Sequence, residues 1–162
     1  MWLSRLIAIL LVSMLTACTG LSVTPLGTNF TKDDLRVAVI GTGGRNGQIY
    51  SRALNSLIGG AADPAFTLSS ELSVASSSTL TVRGSSSNLK KRSMTAKITL
   101  VDAATGETVM SDSISESSTV GTVSSYYAQT RSDKHSDERT SLLLAERVAA
   151  RVHLYFLDAK GQ

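Results

Sequence analysis

The sequence contains one cysteine, Cys18, and its place near the amino terminus is the first feature that suggests chemistry. It follows an apolar run, 6–15, in which Ser13 is the one polar residue. Arg5 comes directly before this run. A basic start, a short apolar run and small residues at its end are the pattern of a secretory signal peptide. The run is too short to span a bilayer, which takes roughly 20 apolar residues. A lone cysteine in an exported chain has no disulfide partner within the chain, so its thiol needs another use.

The four residues Leu15-Thr16-Ala17-Cys18 resemble the bacterial lipobox, which is a leucine, a small residue, an alanine and a cysteine. The resemblance implies cleavage before Cys18 and acylation of its thiol, and two or more acyl chains hold a protein stably to a membrane. The residue after the cysteine is Thr19 rather than Asp, which by the same resemblance implies the outer membrane, on its periplasmic side. The alternative is a plain signal peptide that ends in Ala-Cys by chance.

The rest of the chain suits one domain. We expect a signal peptide at 1–17, a lipid-anchored tether at 18–34 and a single α+β domain at 35–158. Residues 18–162 number 145 and carry 15 basic and 13 acidic side chains, a net charge of +2. So small a charge gives no support for nucleic-acid binding. The tether is expected because its residues lack periodicity and include Gly20, Pro25 and Gly27.

The first elements of the domain are predicted to be a buried strand at 35–40 and a helix at 46–58. A glycine-rich loop, 41–47, joins them, but its spacing departs from GxGxxG and no Lys-Ser/Thr follows. We therefore interpret the loop as a flexible turn rather than a phosphate site. The apolar stripe predicted for the helix consists of Ile49, Tyr50, Ala53, Leu54 and Leu57.

Three further strands are predicted to form an antiparallel meander at 66–82, 94–100 and 107–119. The large apolar residues of the first two fall on even positions and most odd positions are polar, which indicates strands with one buried face. The serine run at 76–78 is the place where we expect a bend or bulge. The turn at 102–106 has its glycine late, as hairpin loops do. The residues expected on the buried face are Phe66, Leu68, Leu72, Val74, Met94, Ile98 and Leu100.

A long helix is predicted over 132–156. Its expected apolar stripe, which should cover the buried sheet face, consists of Leu142, Ala145, Val148, Ala149, Val152, Tyr155 and Phe156. Four strands and two helices in the order βαβββα predict an α+β fold. We expect a two-layer sandwich in which a four-stranded mixed sheet carries both helices on one face.

Catalysis finds little support in the sequence. The two histidines, His135 and His153, belong to no GxSxG, HExxH or Cys–His arrangement, and no cluster has metal-ligand spacing. We expect a protein that is not an enzyme and that needs neither a metal nor a cofactor.

The element order after a lipobox resembles the LPS-assembly lipoprotein LptE family. The local segments that carry the resemblance are 25–27 (Pro-Leu-Gly), 100–106 in the hairpin, 126–128 (Tyr-Tyr-Ala), 137–139 and 144–155 in the last helix. The resemblance implies a non-enzymatic lipoprotein inside the lumen of the outer-membrane LPS translocon, an LptD-type barrel. It also implies support of barrel assembly and binding of lipopolysaccharide. The rival interpretation is an accessory interaction lipoprotein of another envelope lipid-trafficking transporter.

The charge pattern suggests where such a ligand would bind. No acid lies between Glu71 and Asp102, whereas this interval holds five bases, and no base lies between 98 and 130. We therefore expect a basic tip at the hairpin near 84–92 and a more acidic opposite end. The candidate lipopolysaccharide-binding residues are Arg83, Lys90, Lys91 and Arg92, because Lys and Arg bind phosphates through charge-assisted hydrogen bonds. The alternative is a solvated hairpin whose lysines protect the sheet.

Overall fold

The structure is a computed structural model that describes residues 35–78 and 89–160. Its elements are β1 (Val37–Val39), α1 (Gly44–Ile58), β2 (Phe66–Ser78), β3 (Leu89–Asp102), β4 (Thr108–Gly121) and α2 (Tyr126–Lys160). The predicted order βαβββα is therefore confirmed. The signal peptide, Cys18, the tether and Arg83 lie outside the described residues, so the statements about them stay predictions.

The four strands form one mixed sheet in the order β1-β2-β3-β4. β1 pairs with β2 in parallel, and the other two pairings are antiparallel. The bend expected at 76–78 is absent, because the β2–β3 ladder continues without a shift to Ser78 opposite Lys90. A register irregularity occurs instead between Leu100 and Val101, where β3 faces β4.

Both helices cover the same face of the sheet, as the α+β prediction required. Alternation along β3 buries every second side chain, and the four apolar side chains on its helix-facing side are at most 1% exposed. Residues from both helices join them in one buried cluster, which includes Leu54, Ile58, Val148 and Val152. The buried side chains of β3 are Met94, Ala96, Ile98 and Leu100.

Phe66, at the start of β2, is only partly buried, and two residues of the predicted core beyond Leu68 are also less buried than expected. Leu72 is only partly buried, and Val74 is 46% exposed. The reason for these two is the short first strand: β1 pairs with β2 only as far as Leu68. Tyr50 of α1 reaches β2 at Ser70, where its Oη lies 2.9 Å from Ser70 Oγ. Leu72 and Val74 lie further along β2 than this contact.

The predicted stripe of α2 was correct at Val148 and Val152 but wrong at Leu142, which is 43% exposed. Three consecutive leucines, 142–144, span more than half a helical turn, so spacing alone did not identify the inward one. In the structure Leu144 is fully buried and Leu142 faces outward. Leu57 of α1, also predicted in a stripe, is exposed at the end of its helix.

Two loops depend on glycine. The 41–47 loop leads into α1 as predicted, and Gly47 is buried so closely that a Cβ there would lie 2.6 Å from the Thr42 carbonyl oxygen. The hairpin between β3 and β4 has Gly106 at φ 72°, as its late glycine predicted. Asp102 Oδ1 accepts the backbone N–H groups of Ala104 and Thr105, and these hydrogen bonds lower the pKa of Asp102.

Candidate functional site

The candidate site lies at one end of the sheet, where β2 ends, β3 begins, β4 ends and α2 begins; we call this end the tip. The sheet register places Leu89 opposite Gly121 and Lys90 opposite Val120. The turn at 102–106 lies at the other end, as a meander requires. The predicted basic residues 90–92 are therefore together at the tip.

These three residues have different surroundings. Lys91 is exposed. Because side chains alternate along a strand, Lys91 lies on the face of the sheet opposite to the helices. Lys90 and Arg92 lie on the helix-facing side and are half-buried. Only the two lysines are thus available to a ligand in the way that the sequence suggested.

Arg92 joins the sheet to α2. Its Nε and Nη2 atoms donate to the two carboxylate oxygens of Asp137, each at 2.7 Å, and its Nη1 lies 3.7 Å from Asp133 Oδ2. The Arg92 and Asp137 side chains are only 18% and 15% exposed. The Asp137 hydrogen bond raises the pKa of Arg92. This bidentate geometry is the strong form of an ion pair, so Arg92 serves the fold here.

A hydroxyl cluster continues this polar contact between β4 and α2. Ser118 Oγ lies 2.5 Å from Ser136 Oγ and 3.0 Å from Thr140 Oγ1. Further along α2, Arg151 Nε donates to Asp112 Oδ2 at 2.6 Å, and this bond lowers the pKa of Asp112. The first half of α2 is therefore held to the sheet largely by polar contacts, whereas its second half combines such ion pairs with the apolar core.

The contact between Arg92 and Asp137 can be tested by stability measurements. Asp137→Ala leaves a mostly buried guanidinium without its main partner, so we expect a loss of about 1–3 kcal/mol in the free energy of unfolding. Urea denaturation measures the loss, and Lys91→Ala should change the unfolding free energy by less than about 0.5 kcal/mol. If Asp137→Ala were as stable as Lys91→Ala, the ion pair would not hold α2 to the sheet.

A second basic group, not predicted from the sequence, lies beside the tip. A cleft of about 460 Å³ lies between the start of α1 and the first half of α2. Within it, Arg45 Nη2 lies 3.8 Å from Glu138 Oε2. The signal was available, because 131, 134, 135 and 138 share a helical face at spacings of three and four. The lining residues are Arg45, Arg131, Lys134, His135 and Glu138.

The tip is consequently less basic than predicted. Asp133 and Asp137 of α2 neutralise Arg92 there, and Glu138 faces Arg45. In the ranges 35–78 and 89–160 no group of three or more His, Cys, Asp and Glu side chains is placed to hold a metal. In the same ranges, none of the helices combines the length and hydrophobicity that a membrane span requires.

Comparison with known proteins gives no match to a family model and no match to a curated sequence. Solved structures do match. A candidate lipoprotein from Caulobacter crescentus CB15 has a TM-score of 0.59 at 20% identity, over 74% of this chain and 89% of that one. Rare lipoprotein B from Shewanella oneidensis has a TM-score of 0.60 at 9% identity, over 76% of this chain and 96% of that one.

A third match is a minor lipoprotein from Acinetobacter baumannii, with a TM-score of 0.54 at 6% identity. It covers 73% of this chain and 88% of that one. Identities this low establish a common fold and nothing finer. The chain thus has the fold of bacterial proteins described as lipoproteins.

Proposed function

We propose that this chain is a non-enzymatic lipoprotein of the LPS-assembly type, anchored to the outer membrane through acylated Cys18. One observation carries the proposal: a fold shared with bacterial proteins described as lipoproteins follows a lipobox in the same chain. The two parts are independent, because the lipobox is a pattern in residues 15–18 and the fold similarity concerns the packed domain. The domain lies on the periplasmic side.

In this proposal the domain occupies the lumen of an LptD-type barrel and supports its assembly. The outward face of the sheet supports this role. It carries hydroxyl side chains at about two thirds of its positions, with Glu71, Lys91 and Lys97 as the charges of its described residues. The interior of a membrane barrel is polar and hydrated, so a hydroxyl-rich face suits it. The hydroxyl residues of this face include Thr67, Ser69, Ser73, Ser93, Thr95, Thr99, Ser111, Ser113, Ser115 and Ser117.

The tip would contact the phosphates of lipopolysaccharide. Lys90 and Lys91 supply two ammonium groups, and the neighbouring cleft adds Arg131 and Lys134. Exposed charges are screened beyond about 8 Å at physiological salt, so the effect requires direct contact. Arg83 and Arg92 stay in the proposed set, with Arg92 reached only if its bond to Asp137 opens.

Replacing both tip lysines tests this contact. The double variant Lys90→Ser, Lys91→Ser should bind lipopolysaccharide roughly tenfold more weakly at low salt, because two charge-assisted contacts are lost. Its affinity should also depend less on salt. Titration of the purified chain with lipopolysaccharide measures both quantities.

Lys97→Ser is the matched control, because Lys97 is an exposed lysine on the same strand but nearer its middle. It should bind like the wild type. Arg92 is left intact, since its replacement would disturb the packing of α2. If the double variant and the wild type bound lipopolysaccharide equally at low salt, the tip lysines would not bind this ligand and would only be a solvated edge of the sheet.

The rival role, as an accessory lipoprotein of another lipid-trafficking transporter, predicts a different partner. Affinity purification of the full chain from detergent-solubilised envelopes should recover a large outer-membrane barrel under our proposal. Recovery of an inner-membrane transporter complex, with no barrel, would favour the rival.

A further inference from the structure

Two adjacent tyrosines protrude from the tip. Tyr126 is 87% exposed and Tyr127 is 73% exposed. The other exposed large apolar side chains in the described ranges are between 37% and 51% exposed. Tyrosines usually bury much of their ring area, so such a pair in water is unusual for a folded surface.

The tyrosines are held in place by the start of the helix. They are the first two residues of α2, and Ser125 Oγ lies 3.5 Å from the Ala128 backbone N–H that it accepts. The preceding loop is tied back as well, because the Val123 backbone N–H donates to Gln129 Oε1 at 2.8 Å. Both rings therefore project from an ordered helical turn.

Aliphatic and basic side chains lie at the same end. Val123 and Leu89 are 47% and 46% exposed, and the register sets Leu89 opposite Gly121, two residues before Val123. Lys90 and Lys91 follow Leu89 directly, and Arg131 is exposed about one turn along α2. The tip thus presents a protruding aromatic pair and three bases at the same end of the domain.

We propose that this tip docks on the surface of a phospholipid bilayer, with Tyr126 and Tyr127 in the headgroup region. Tyrosine favours the membrane interface, because its ring is apolar and its hydroxyl remains hydrated. Lys90, Lys91 and Arg131 attract anionic headgroups, which supplies the charge complementarity.

The shape of the tip favours a bilayer over a single bound lipid. Acyl chains are bound in apolar concavities, whereas the cleft beside Arg45 and a second cleft of about 210 Å³ between the end of β4 and α2 are lined mainly by polar side chains. The tyrosines stand outside these clefts and protrude. This inference concerns the free chain and does not depend on the proposed barrel partner.

Tryptophan fluorescence can test the docking directly. The one tryptophan of the sequence is Trp2, so a chain of residues 18–162 that carries Cys18→Ala contains none and has no acyl group. In that chain, Tyr126→Trp places a single reporter at the tip. Leu154→Trp is the matched control, since Leu154 is 40% exposed on the same helix and about 42 Å away.

With vesicles of phosphatidylcholine and phosphatidylglycerol, the Tyr126→Trp emission should move to shorter wavelength and be quenched by brominated lipid. The Leu154→Trp emission should change in neither respect. The double variant Tyr126→Ser, Tyr127→Ser should bind these vesicles at least about tenfold more weakly in sedimentation, with unchanged circular dichroism. An unshifted Tyr126→Trp emission, equal shifts in both reporters, or full binding by the double variant would each overturn the proposal.

Discussion

Val148→Asp is expected to leave the domain unfolded at room temperature. Val148 is fully buried in the cluster that α2 forms with the sheet. A carboxylate there would have no partner among the apolar side chains, and burying an unpaired charge costs several kcal/mol. That cost is comparable with the whole stability of a domain, which is about 5–15 kcal/mol. Circular dichroism during thermal and urea denaturation measures the effect.

Leu142→Asp is the matched control on the same helix. Its side chain is exposed, so the change should cost less than about 1 kcal/mol. The pair also tests which face of α2 packs inward, since Leu142 was predicted in the core. A folded Val148→Asp variant beside an unfolded Leu142→Asp variant would contradict the helix orientation described above.

Cys18→Ala is expected to move the exported protein from the membrane fraction to the soluble fraction. Each buried methylene of an acyl chain contributes about 0.8 kcal/mol of membrane binding, so loss of all chains removes the anchor. Mass spectrometry of the wild-type protein should find acylation at Cys18 as the first residue. An unmodified amino terminus at another position would contradict the lipobox assignment.

Two changes beside the cysteine serve as controls. Thr16→Ala keeps a small residue in the lipobox and should leave acylation and membrane binding unchanged. Thr19→Asp should keep the anchor but retain the protein in the inner membrane, by resemblance to lipoprotein sorting. Density-gradient separation of the two membranes measures this. An outer-membrane location of the Thr19→Asp variant would mean that Thr19 does not direct sorting.

Much of the fold was predictable because the large apolar residues of β2 and β3 alternate with polar ones. The even positions of β3 that the sequence marked as inward, such as Ile98 and Leu100, are buried. The cover over those positions was harder to predict. Val74 fits the alternation as well as Leu68 does, but β1 does not extend beside it and its side chain is 46% exposed. Alternation reports the face of a residue and not whether another element lies above that face.

The start of α2 was placed six residues too late for a local reason. Tyr126 and Tyr127 contribute nothing to an apolar stripe, because both face solvent. The helix begins there through its capping serine, Ser125, and continues through polar residues with no apolar periodicity. Apolar periodicity indicates a helix only where the helix is packed against another element.

The candidate site was predictable in position but not in composition. Segregated charge predicted Lys90, Lys91 and Arg92 at one end of the sheet, where the register places them, and their role in binding stays a prediction. The pairing of Arg92 with Asp137 joins residues 45 positions apart, and no local pattern encodes it. The neutralisation of Arg92 and the cleft beside Arg45 both follow from where α2 packs on the sheet, which only the structure supplies.

Conditional depletion of the chain in its native cells tests the central claim most directly. The measured quantity is the lipopolysaccharide exposed on the cell surface, labelled on intact cells. Our account predicts that surface lipopolysaccharide falls as the chain is depleted and recovers with the wild type. The Cys18→Ala variant, at equal abundance, should restore less. Unchanged surface lipopolysaccharide after complete depletion would contradict the proposed role.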